Sequence, residues 1–361
     1  MQPHPPSPRP PQPGQPPPWN PPQPPKRKRP WFKFGCLPII VLLLLLIVAN
    51  AINESNKNNV AVPPTTVIST VPSTLVPGEI TTTVPGAPSS ETPPTTAVAR
   101  PGGEAQLSSC ATQEGLFLRE CGVAAPPNIA AGEKLPVVIL LHGMLGNPNE
   151  VRAIGDWTNR VVDRRFILIT PGGLGASWNA GGCCSIAQAT NLDDVGYLAG
   201  VVREASTRPE VDASRIYMAG FSNGGMMVYR YLCAPGNGIA AAASVSGTST
   251  VDCAPTKSMP ILHIHGVADA TVPYQGGQSL AAFVLGVTFR PVVDTMDEIA
   301  ADEGCSAQSA DTRTGNVSTR VWSGCGNGAT VRLDSIDGLN HNWPLAGGFN
   351  ATDEMLTFFG I

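Results

Sequence analysis

The sequence predicts an α/β fold in which helices cover both faces of a mostly parallel sheet. Within residues 106–361, short apolar runs typical of buried strands alternate with segments whose apolar residues recur at helical spacing. The segment GFSNGG at 220–225 passes directly from a predicted strand into a predicted helix. Because strand-helix-strand connections return the chain in the same direction, they build parallel sheets. We therefore predict one α/β domain over residues 106–361.

The residues before this domain cannot build a hydrophobic core. Residues 1–33 form a Pro-rich tail whose charged side chains are all basic, and residues 53–105 are rich in Thr, Pro and Ser. Both compositions predict disorder, the second as a linker that holds the domain away from its attachment. Residues 34–52 carry no charge and are long enough to cross a bilayer as one helix.

The apolar segment predicts a single-pass protein of the cell membrane. A basic cluster at 26–29 precedes it, which predicts a cytoplasmic N-terminus and an extracytoplasmic domain. The alternative is a signal peptide cleaved near Ala51, where Ala49-Asn50-Ala51 has a small-x-small pattern, and the product would then be secreted. After residue 33 acidic residues outnumber basic ones, which argues against a nucleic-acid partner.

The elements of the predicted domain follow in chain order. The strand at 135–141, LPVVILL, is apolar throughout, as expected of a strand covered on both faces. The segment 191–205 has apolar residues at helical spacing and two Asp residues in its first turn. Strands are predicted at 116–119, 135–141, 166–170, 215–219, 239–245, 260–264 and 330–336, and helices at 149–163, 191–205, 226–233 and 353–359.

The segment GFSNGG has the pattern of a nucleophile elbow. Glycines two residues before and two residues after Ser222 allow a turn so tight that the Ser hydroxyl protrudes above the sheet. Taken alone the pattern is a moderate signal, because Gly and Ser are common in this chain. We predict Ser222 as the nucleophile if a base, an acid and donors for an oxyanion lie near it.

A Ser hydroxyl needs a general base, and the base needs a partner that fixes its tautomer. His341 follows the last predicted strand and precedes the final helix, and we predict it as the base. Asp269 follows the predicted strand 260–264, and we predict it as the acid. The chain order Ser222, Asp269, His341 is the order found in one of the known classes of triad hydrolases.

Other acids and histidines fit these roles less well. Asp337 is interpreted as a strand-end or turn acid and Asp194 as a helix cap or loop anchor. His263 and His265 share one face of a buried strand, where core packing or support of the site is favoured over a metal pair. No metal and no cofactor are predicted.

The tetrahedral intermediate of acyl transfer needs main-chain N–H donors. The residue after the nucleophile, Asn223, should supply one, and Met144, in the loop after the strand 135–141, should supply the other. His142, at the end of that strand, Trp178, in a Gly-rich loop, and Trp343, two residues after the base, are candidates for the substrate pocket. A simple packing role for Trp178 fits the sequence equally well.

Eight of the nine cysteines follow residue 105, which indicates disulfides and an oxidising compartment. We expect the local pairs Cys305–Cys325 and Cys110–Cys121. Two further cross-links near the active site are expected among the remaining four cysteines, with their pairing left open: Cys183, Cys184, Cys233 and Cys253.

Six motifs in order resemble the polyhydroxybutyrate depolymerase and feruloyl esterase family of α/β-hydrolases. The resemblance covers nearly all of residues 106–361. It implies a serine esterase whose Ser, Asp and His positions fall on Ser222, Asp269 and His341, the residues already reached from the pattern alone. The motifs are LHG at 141–143, SWNAGGCC at 177–184, LDDVGYL at 192–198, GFSNGG at 220–225, HGVADATVPY at 265–274 and HNWP at 341–344.

The sequence thus predicts a membrane-anchored, extracytoplasmic serine esterase. Its substrate would be a carboxylic ester of the feruloyl, acetyl-polysaccharide or short hydroxyalkanoate type, as a small molecule or at a chain end. A peptidase or a lipase using the same triad is one alternative, and a catalytically silent cell-surface binding module is another. Neither the acyl and alcohol specificity nor the oligomeric state is predicted.

Overall fold

The computed structural model describes residues 105–109, 112–114, 117–308, 311–345 and 348–361. These residues all belong to one compact unit. Within these ranges no helix combines the length and the apolar character that crossing a membrane requires. The predicted tail at 1–33, the predicted membrane segment at 34–52 and all but the last residue of the predicted linker lie outside the described residues, as does Cys110.

An eleven-stranded sheet organises the described part of the chain. Its order is β1-β4-β6-β5-β7-β8-β9-β13-β12-β10, with β11 paired to β12 beside this path, while β2 and β3 form a separate hairpin. The strands are β1 Gln106–Ser109, β2 Thr112–Glu114, β3 Phe117–Arg119, β4 Cys121–Ala125, β5 Leu135–Leu141, β6 Ile167–Pro171, β7 Val211–Phe221, β8 Ala241–Val245, β9 Ile261–Gly266, β10 Ala307–Gln308, β11 Thr312–Thr314, β12 Val317–Ser323 and β13 Val331–Ile336.

The centre of the sheet is parallel, as predicted. From β6 through β5, β7, β8 and β9 to β13, each strand runs parallel to its neighbour. Antiparallel strands flank this centre, with β4 and β1 beyond β6 and with β12 and its partners beyond β13. In open sheets of this kind, ligands bind at the carboxyl ends of the parallel strands.

Eight helices lie in the described residues, and the central strand β5 is buried on both faces. Along β5, Val137 and Ile139 contribute to one hydrophobic core, while Val138 and Leu140 contribute to the other. This is why β5 is apolar at every position. The helices are α1 Pro148–Ile154, α2 Trp157–Arg164, α3 Ser185–Ala189, α4 Asp194–Thr207, α5 Asn223–Leu232, α6 Leu280–Leu285, α7 Val292–Asp302 and α8 Ala351–Phe358.

The single helix predicted at 149–163 is wrong, because two helices occupy this segment. α1 ends at Ile154 and α2 begins at Trp157, and Asp156 between them is left-handed at φ 53°. A Cβ added to Gly155 would collide with the indole of Trp157. The chain therefore turns at the pair Gly155-Asp156 so that Trp157 can enter the core, where it is fully buried.

Three disulfides lie within the described residues. Cys305 and Cys325 form the predicted pair, and Cys233 is joined to Cys253. The other two cysteines of the group whose pairing was left open, Cys183 and Cys184, are joined to each other. Cys121 is also disulfide-bonded, and its pairing with Cys110 stays a prediction.

Candidate active site

Ser222 occupies a strained turn between a strand and a helix. β7 ends at Phe221, α5 begins at Asn223, and Ser222 between them has φ 54° and ψ −121°. A positive φ is unfavourable for any residue with a Cβ, and such strained positions cluster at functional sites. The Ser222 N–H donates to the carbonyl oxygen of Val245 at 2.8 Å, and the Met226 N–H donates to that of Ser222 at 2.9 Å.

The glycines around Ser222 are required by close main-chain approaches. A Cβ on Gly220 would collide with the main chain of Gly224, and a Cβ on Gly224 would collide with the carbonyl oxygens of Leu141 and His142. The start of α5 therefore packs directly against β7 and the end of β5. This packing fixes where the Ser222 side chain points.

The structure brings Ser222, His341 and Asp269 together. His341 Nε2 lies 2.9 Å from Ser222 Oγ, and His341 Nδ1 lies 2.7 Å from Asp269 Oδ2. The three residues follow β7, β13 and β9, whose carboxyl ends meet at one edge of the parallel sheet. The Asp269 side chain is fully buried, whereas that of His341 is 16% exposed. A base that contacts both a hydroxyl and a carboxylate can accept a proton from the first while the second stabilises the resulting charge.

Asp269 is held as an anion by its hydrogen-bond donors. Its Oδ1 accepts from the N–H groups of Thr271 and Val272, each at 2.8 Å. Burial by itself would raise the pKa of this carboxyl group. Hydrogen bonds from His265, His341 and the Val272 N–H, together with the positive charge that His341 can carry, outweigh burial, and the pKa of Asp269 lies well below its usual range.

The two rival acids contact other residues. Asp194 is fully buried and its Oδ1 lies 2.5 Å from Arg119 Nη1. Its Oδ2 accepts from the Asn179 N–H at 2.6 Å, so it anchors the Gly-rich loop, one of the roles predicted for it. The neighbouring Asp193 caps α4. Asp337 forms an exposed ion pair with Arg313.

Met144 and Asn223 lie where donors to an oxyanion are expected. Asn223 is the first residue of α5, and Met144 follows β5 in the neighbouring loop. The Gly143 carbonyl oxygen accepts from His142 Nδ1 at 2.7 Å and from the Gly146 N–H at 3.1 Å. This carbonyl group and the Met144 N–H belong to one planar trans peptide and point in opposite directions. Hydrogen bonds that hold the carbonyl group in place therefore also hold the Met144 N–H in place.

Parts of the chain are similar to known proteins. A family model described as phospholipase/carboxylesterase matches residues 186–303. Feruloyl esterase B of Piromyces equi is 29% identical over 233 residues, which is 62% of this chain and 42% of that protein. A bifunctional acetylxylan esterase/xylanase of Neocallimastix patriciarum is 26% identical over 234 residues, 62% of this chain and 31% of that protein.

A solved structure has a similar fold. The solved structure of an acetyl xylan esterase from Aspergillus awamori superimposes with a TM-score of 0.52 at 17% identity, covering 71% of this chain and 99% of that one. The described part of the chain has the α/β-hydrolase fold, and 62% of the chain is similar in sequence to a feruloyl esterase and to an acetylxylan esterase. The chain spans less than half the length of the two curated relatives.

All three residues suggested for the substrate pocket are buried, and the rings of two of them, Trp178 and Trp343, pack within the domain. Trp178 is fully buried, and its Nε1 donates to the His142 carbonyl oxygen at 2.9 Å. Trp343 Nε1 donates to Thr352 Oγ1 at 3.1 Å, and its ring packs on that of Trp157. Both rings thus bond to protein atoms, and for Trp178 this matches the packing role that the sequence left open.

His142 is the third of these residues and supports the loop that carries Met144. Its Nε2 accepts from the Gly173 N–H at 2.9 Å, so its proton lies on Nδ1, which donates to Gly143. Burial lowers the pKa of His142, which keeps the ring neutral. His142 also lines a small cavity beside Met144 and Phe221.

Trp178 also joins the two predicted oxyanion donors. Its main-chain N–H donates to Asn223 Oδ1 at 2.7 Å, and its carbonyl oxygen accepts from Asn223 Nδ2 at 3.0 Å. Together with the bond from its indole to His142, these contacts tie the start of α5 to the loop after β5. The main chain and the indole of one buried residue, Trp178, therefore hold the two donor-bearing segments together.

Asn340 is a site residue that sequence reasoning missed. Its Oδ1 accepts from the His341 N–H at 2.8 Å and from the Ala270 N–H at 2.9 Å. One amide oxygen therefore connects the loop that carries the base to the loop that carries Asp269. An Asn before a His is a local signal for a side-chain-capped turn, but its second partner is seventy residues away in the sequence.

Proposed function

We propose that this α/β-hydrolase is an extracytoplasmic serine esterase that cleaves carboxylic esters through Ser222, His341 and Asp269. The observation that carries the proposal is the continuous contact from Ser222 Oγ through both ring nitrogens of His341 to Asp269 Oδ2, at 2.9 and 2.7 Å. These are the distances at which a base can remove a hydroxyl proton.

In the proposed mechanism the Ser222 oxygen attacks the ester carbonyl carbon as its proton passes to His341 Nε2. The Asp269 carboxylate accepts the Nδ1–H and stabilises the imidazolium that forms. The N–H groups of Met144 and Asn223 donate to the oxyanion of the tetrahedral intermediate. His341 then protonates the leaving alcohol, and a water molecule, activated by the same imidazole, releases the acyl group from Ser222.

The proposed substrates are feruloyl or acetyl esters of polysaccharides or their small analogues. Relatives named feruloyl esterase and acetylxylan esterase support this class. Short hydroxyalkanoate esters are proposed as well, from the motif resemblance alone. This chain spans less than half the length of the feruloyl esterase and of the acetylxylan esterase/xylanase. The substrates in their names are therefore the first candidates to be assayed.

The test is hydrolysis of p-nitrophenyl acetate by the full chain and by two variants. Ser222→Ala should lower kcat by roughly 10⁴-fold or more, because it removes the nucleophile. The matched control is Ser206→Ala, whose hydroxyl donates to the Arg203 carbonyl oxygen in α4 and which should keep full activity. Equal slow hydrolysis by wild type and Ser222→Ala would overturn the proposal and favour a silent binding module.

A substrate panel then separates the classes of hydrolase. Methyl ferulate, acetylated xylan, 3-hydroxybutyrate oligomers, long-chain acyl esters and a peptide anilide are compared by kcat/KM. Hydrolysis of the first three, or of any one of them, in preference to the others supports the proposed class. Activity confined to long acyl chains would indicate a lipase, and amide cleavage would indicate a peptidase.

We also propose that residues 34–52 anchor the enzyme in the cell membrane with its catalytic domain outside. The uncharged apolar segment after a basic cluster supports the anchor, and the disulfides Cys233–Cys253 and Cys305–Cys325 support an oxidising compartment. Membrane fractionation and the mass of the mature protein test this. A soluble product lacking about the first fifty residues would instead show cleavage near Ala51.

A further inference from the structure

A buried row of polar side chains continues from Asp269 away from Ser222. His263 and His265 lie on the same face of β9, with His263 Nε2 2.9 Å from His265 Nδ1. Beyond them, the Tyr229 hydroxyl of α5 lies 2.6 Å from His263 Nδ1. At the other end, His265 Nε2 lies 3.3 Å from Asp269 Oδ2. All four side chains are buried, and both imidazoles are fully so.

The protons of this row can be assigned from its ends. His265 Nε2 faces two acceptors, Asp269 Oδ2 and the Val272 carbonyl oxygen at 2.9 Å, so it must carry a proton. In this tautomer His265 Nδ1 is an acceptor, and His263 Nε2 donates to it at 2.9 Å. His263 Nδ1 is in turn an acceptor, and the Tyr229 hydroxyl donates to it at 2.6 Å, since another acceptor near this hydroxyl, Met296 Sδ, is farther away at 3.5 Å. Every N–H and O–H in the row thus points towards Asp269.

The charge states expected for these groups agree with this assignment. Burial raises the pKa of the Tyr229 phenol, which therefore keeps its proton. Burial, together with the neighbouring His265, lowers the pKa of His263 well below its usual range, so this ring is neutral. Tyr274, whose ring packs edge-on against His265, also stays protonated because burial raises its pKa.

His265 holds the acid turn at two points. Its Nε2–H is shared between Asp269 Oδ2 and the carbonyl oxygen of Val272. The N–H of the same Val272 donates to Asp269 Oδ1. The imidazole therefore fixes both the carboxylate and the main chain that contacts its other oxygen, and rotation of the carboxylate away from His341 would break these bonds.

We propose that His265, oriented by His263 and Tyr229, is a positioning residue that holds the Asp269 carboxylate in the orientation needed by His341. The inference rests on the proposed triad and extends it by three residues that do not touch the substrate. A metal site is a poorer account of the two imidazoles, because each of their four nitrogens already faces a hydrogen-bond partner in the row or on the acid turn.

The test uses a matched pair of amide variants in the full chain. In His265→Gln the amide nitrogen can occupy the place of Nε2 and the amide oxygen can accept from His263. In His265→Asn the amide is one carbon shorter and cannot reach Asp269. We expect the Asn variant to lose about tenfold to a hundredfold in kcat on p-nitrophenyl acetate, with KM unchanged, because a hydrogen bond to a charged group is lost. The Gln variant should stay within about threefold of wild type.

A spectroscopic measurement separates positioning from packing. The proton between His341 Nδ1 and Asp269 Oδ2 gives an NMR resonance far downfield of the amide signals. This resonance should shift in His265→Asn and return to its wild-type position in His265→Gln. Equal losses of kcat in both variants, or an unshifted resonance in the Asn variant, would overturn the proposal.

Two further variants complete the design. If His265→Asn does not fold, as judged by circular dichroism, Tyr229→Phe decides, since it removes one oxygen atom from the far end of the row. A shifted resonance with kcat lowered about threefold supports the proposal, and wild-type values for both overturn it. Ser222→Ala should abolish hydrolysis while leaving the resonance in place, so failure of the triad and failure of the row give different results.

Discussion

The first prediction concerns the buried ion pair between Arg119 and Asp194 and how much it stabilises the folded domain. Both side chains are fully buried, the two charged atoms are 2.5 Å apart, and the Arg119 guanidinium lies 4.1 Å from the centre of the Tyr197 ring. Asp194 also accepts from the Asn179 N–H. Replacing Asp194 with Ala would leave a buried cation without this carboxylate and a buried N–H without its acceptor.

The expected loss follows from this burial. Removing one partner of a buried ion pair costs about 3–5 kcal/mol of the free energy of unfolding. The neighbouring Asp193 is the control, because within the described residues its carboxylate accepts one hydrogen bond, from the Gly196 N–H, as the cap of α4, and removing a cap costs about 1 kcal/mol. At roughly 2–4 °C per kcal/mol for a domain of this size, Asp194→Ala should lower Tm by about 6–20 °C and Asp193→Ala by about 2–4 °C.

The assay is thermal unfolding of the full chain followed by circular dichroism at pH 7, with the disulfides intact. Urea unfolding at equilibrium gives the free energies directly. If Asp194→Ala lowers the free energy of unfolding no more than Asp193→Ala does, the reasoning about the buried pair is refuted. Hydrolysis by Asp194→Asn at a temperature where it is folded should remain measurable, because Asp194 is assigned no part in proton transfer.

Three further predictions concern the rest of the domain. Cys325→Ser opens the disulfide to Cys305, which closes a loop of twenty residues, and should cost about 3 kcal/mol in urea unfolding. Burial raises the pKa of Glu303, so ionisation of this carboxyl group destabilises the folded state above the unfolded pKa. The Tm of Glu303→Gln, measured relative to wild type, should therefore be higher at pH 7 than at pH 4. Gly220→Ala should abolish soluble folded protein, because its Cβ would collide with Gly224; a Tm within about 2 °C of wild type would contradict this.

The parallel strands were predictable because both of their faces are covered. β5, β6, β8 and β9 are buried at every position, so their sequences are mostly apolar, and polar exceptions such as His263 and His265 of β9 have buried hydrogen-bond partners. The strand at the margin was not predictable in the same way. β12 is buried only near its two ends and carries polar residues between them, since an antiparallel strand near the edge of a sheet is partly open to water.

Three helices were missed, α3, α6 and α7, and α7 is the longest of them. Its signal is nevertheless present in the sequence. α7 buries Val292, Thr295, Met296, Ile299 and Ala300, which is the spacing of one helical face. The pattern is weakened by the small and polar members of this set. Counting them as buried positions would have predicted the helix.

In the site, the reacting residues were predictable and their supports were not. Ser222, Asp269 and His341 each lie in a local motif after a strand end, so the sequence alone indicated where they would meet. Asn340 and His265 act through partners that folding brings together. For Asn340 the partner comes from another loop, and for His265 two of its three partners lie at the acid turn, whose orientation no local pattern specifies.

The strain at Ser222 is a consequence of how three strands pack. A positive φ at a residue with a side chain costs on the order of 1–3 kcal/mol, and one local hydrogen bond does not offset it. The turn is instead confined on three sides. β5 approaches at Gly224, β7 at Gly220, and the loop after β8 at Gly247, where a Cβ would collide with the Ser222 carbonyl oxygen. Since relaxing the turn would separate these strands, the elbow keeps its strained conformation as long as the parallel centre of the sheet remains folded, and Ser222 Oγ stays within reach of His341.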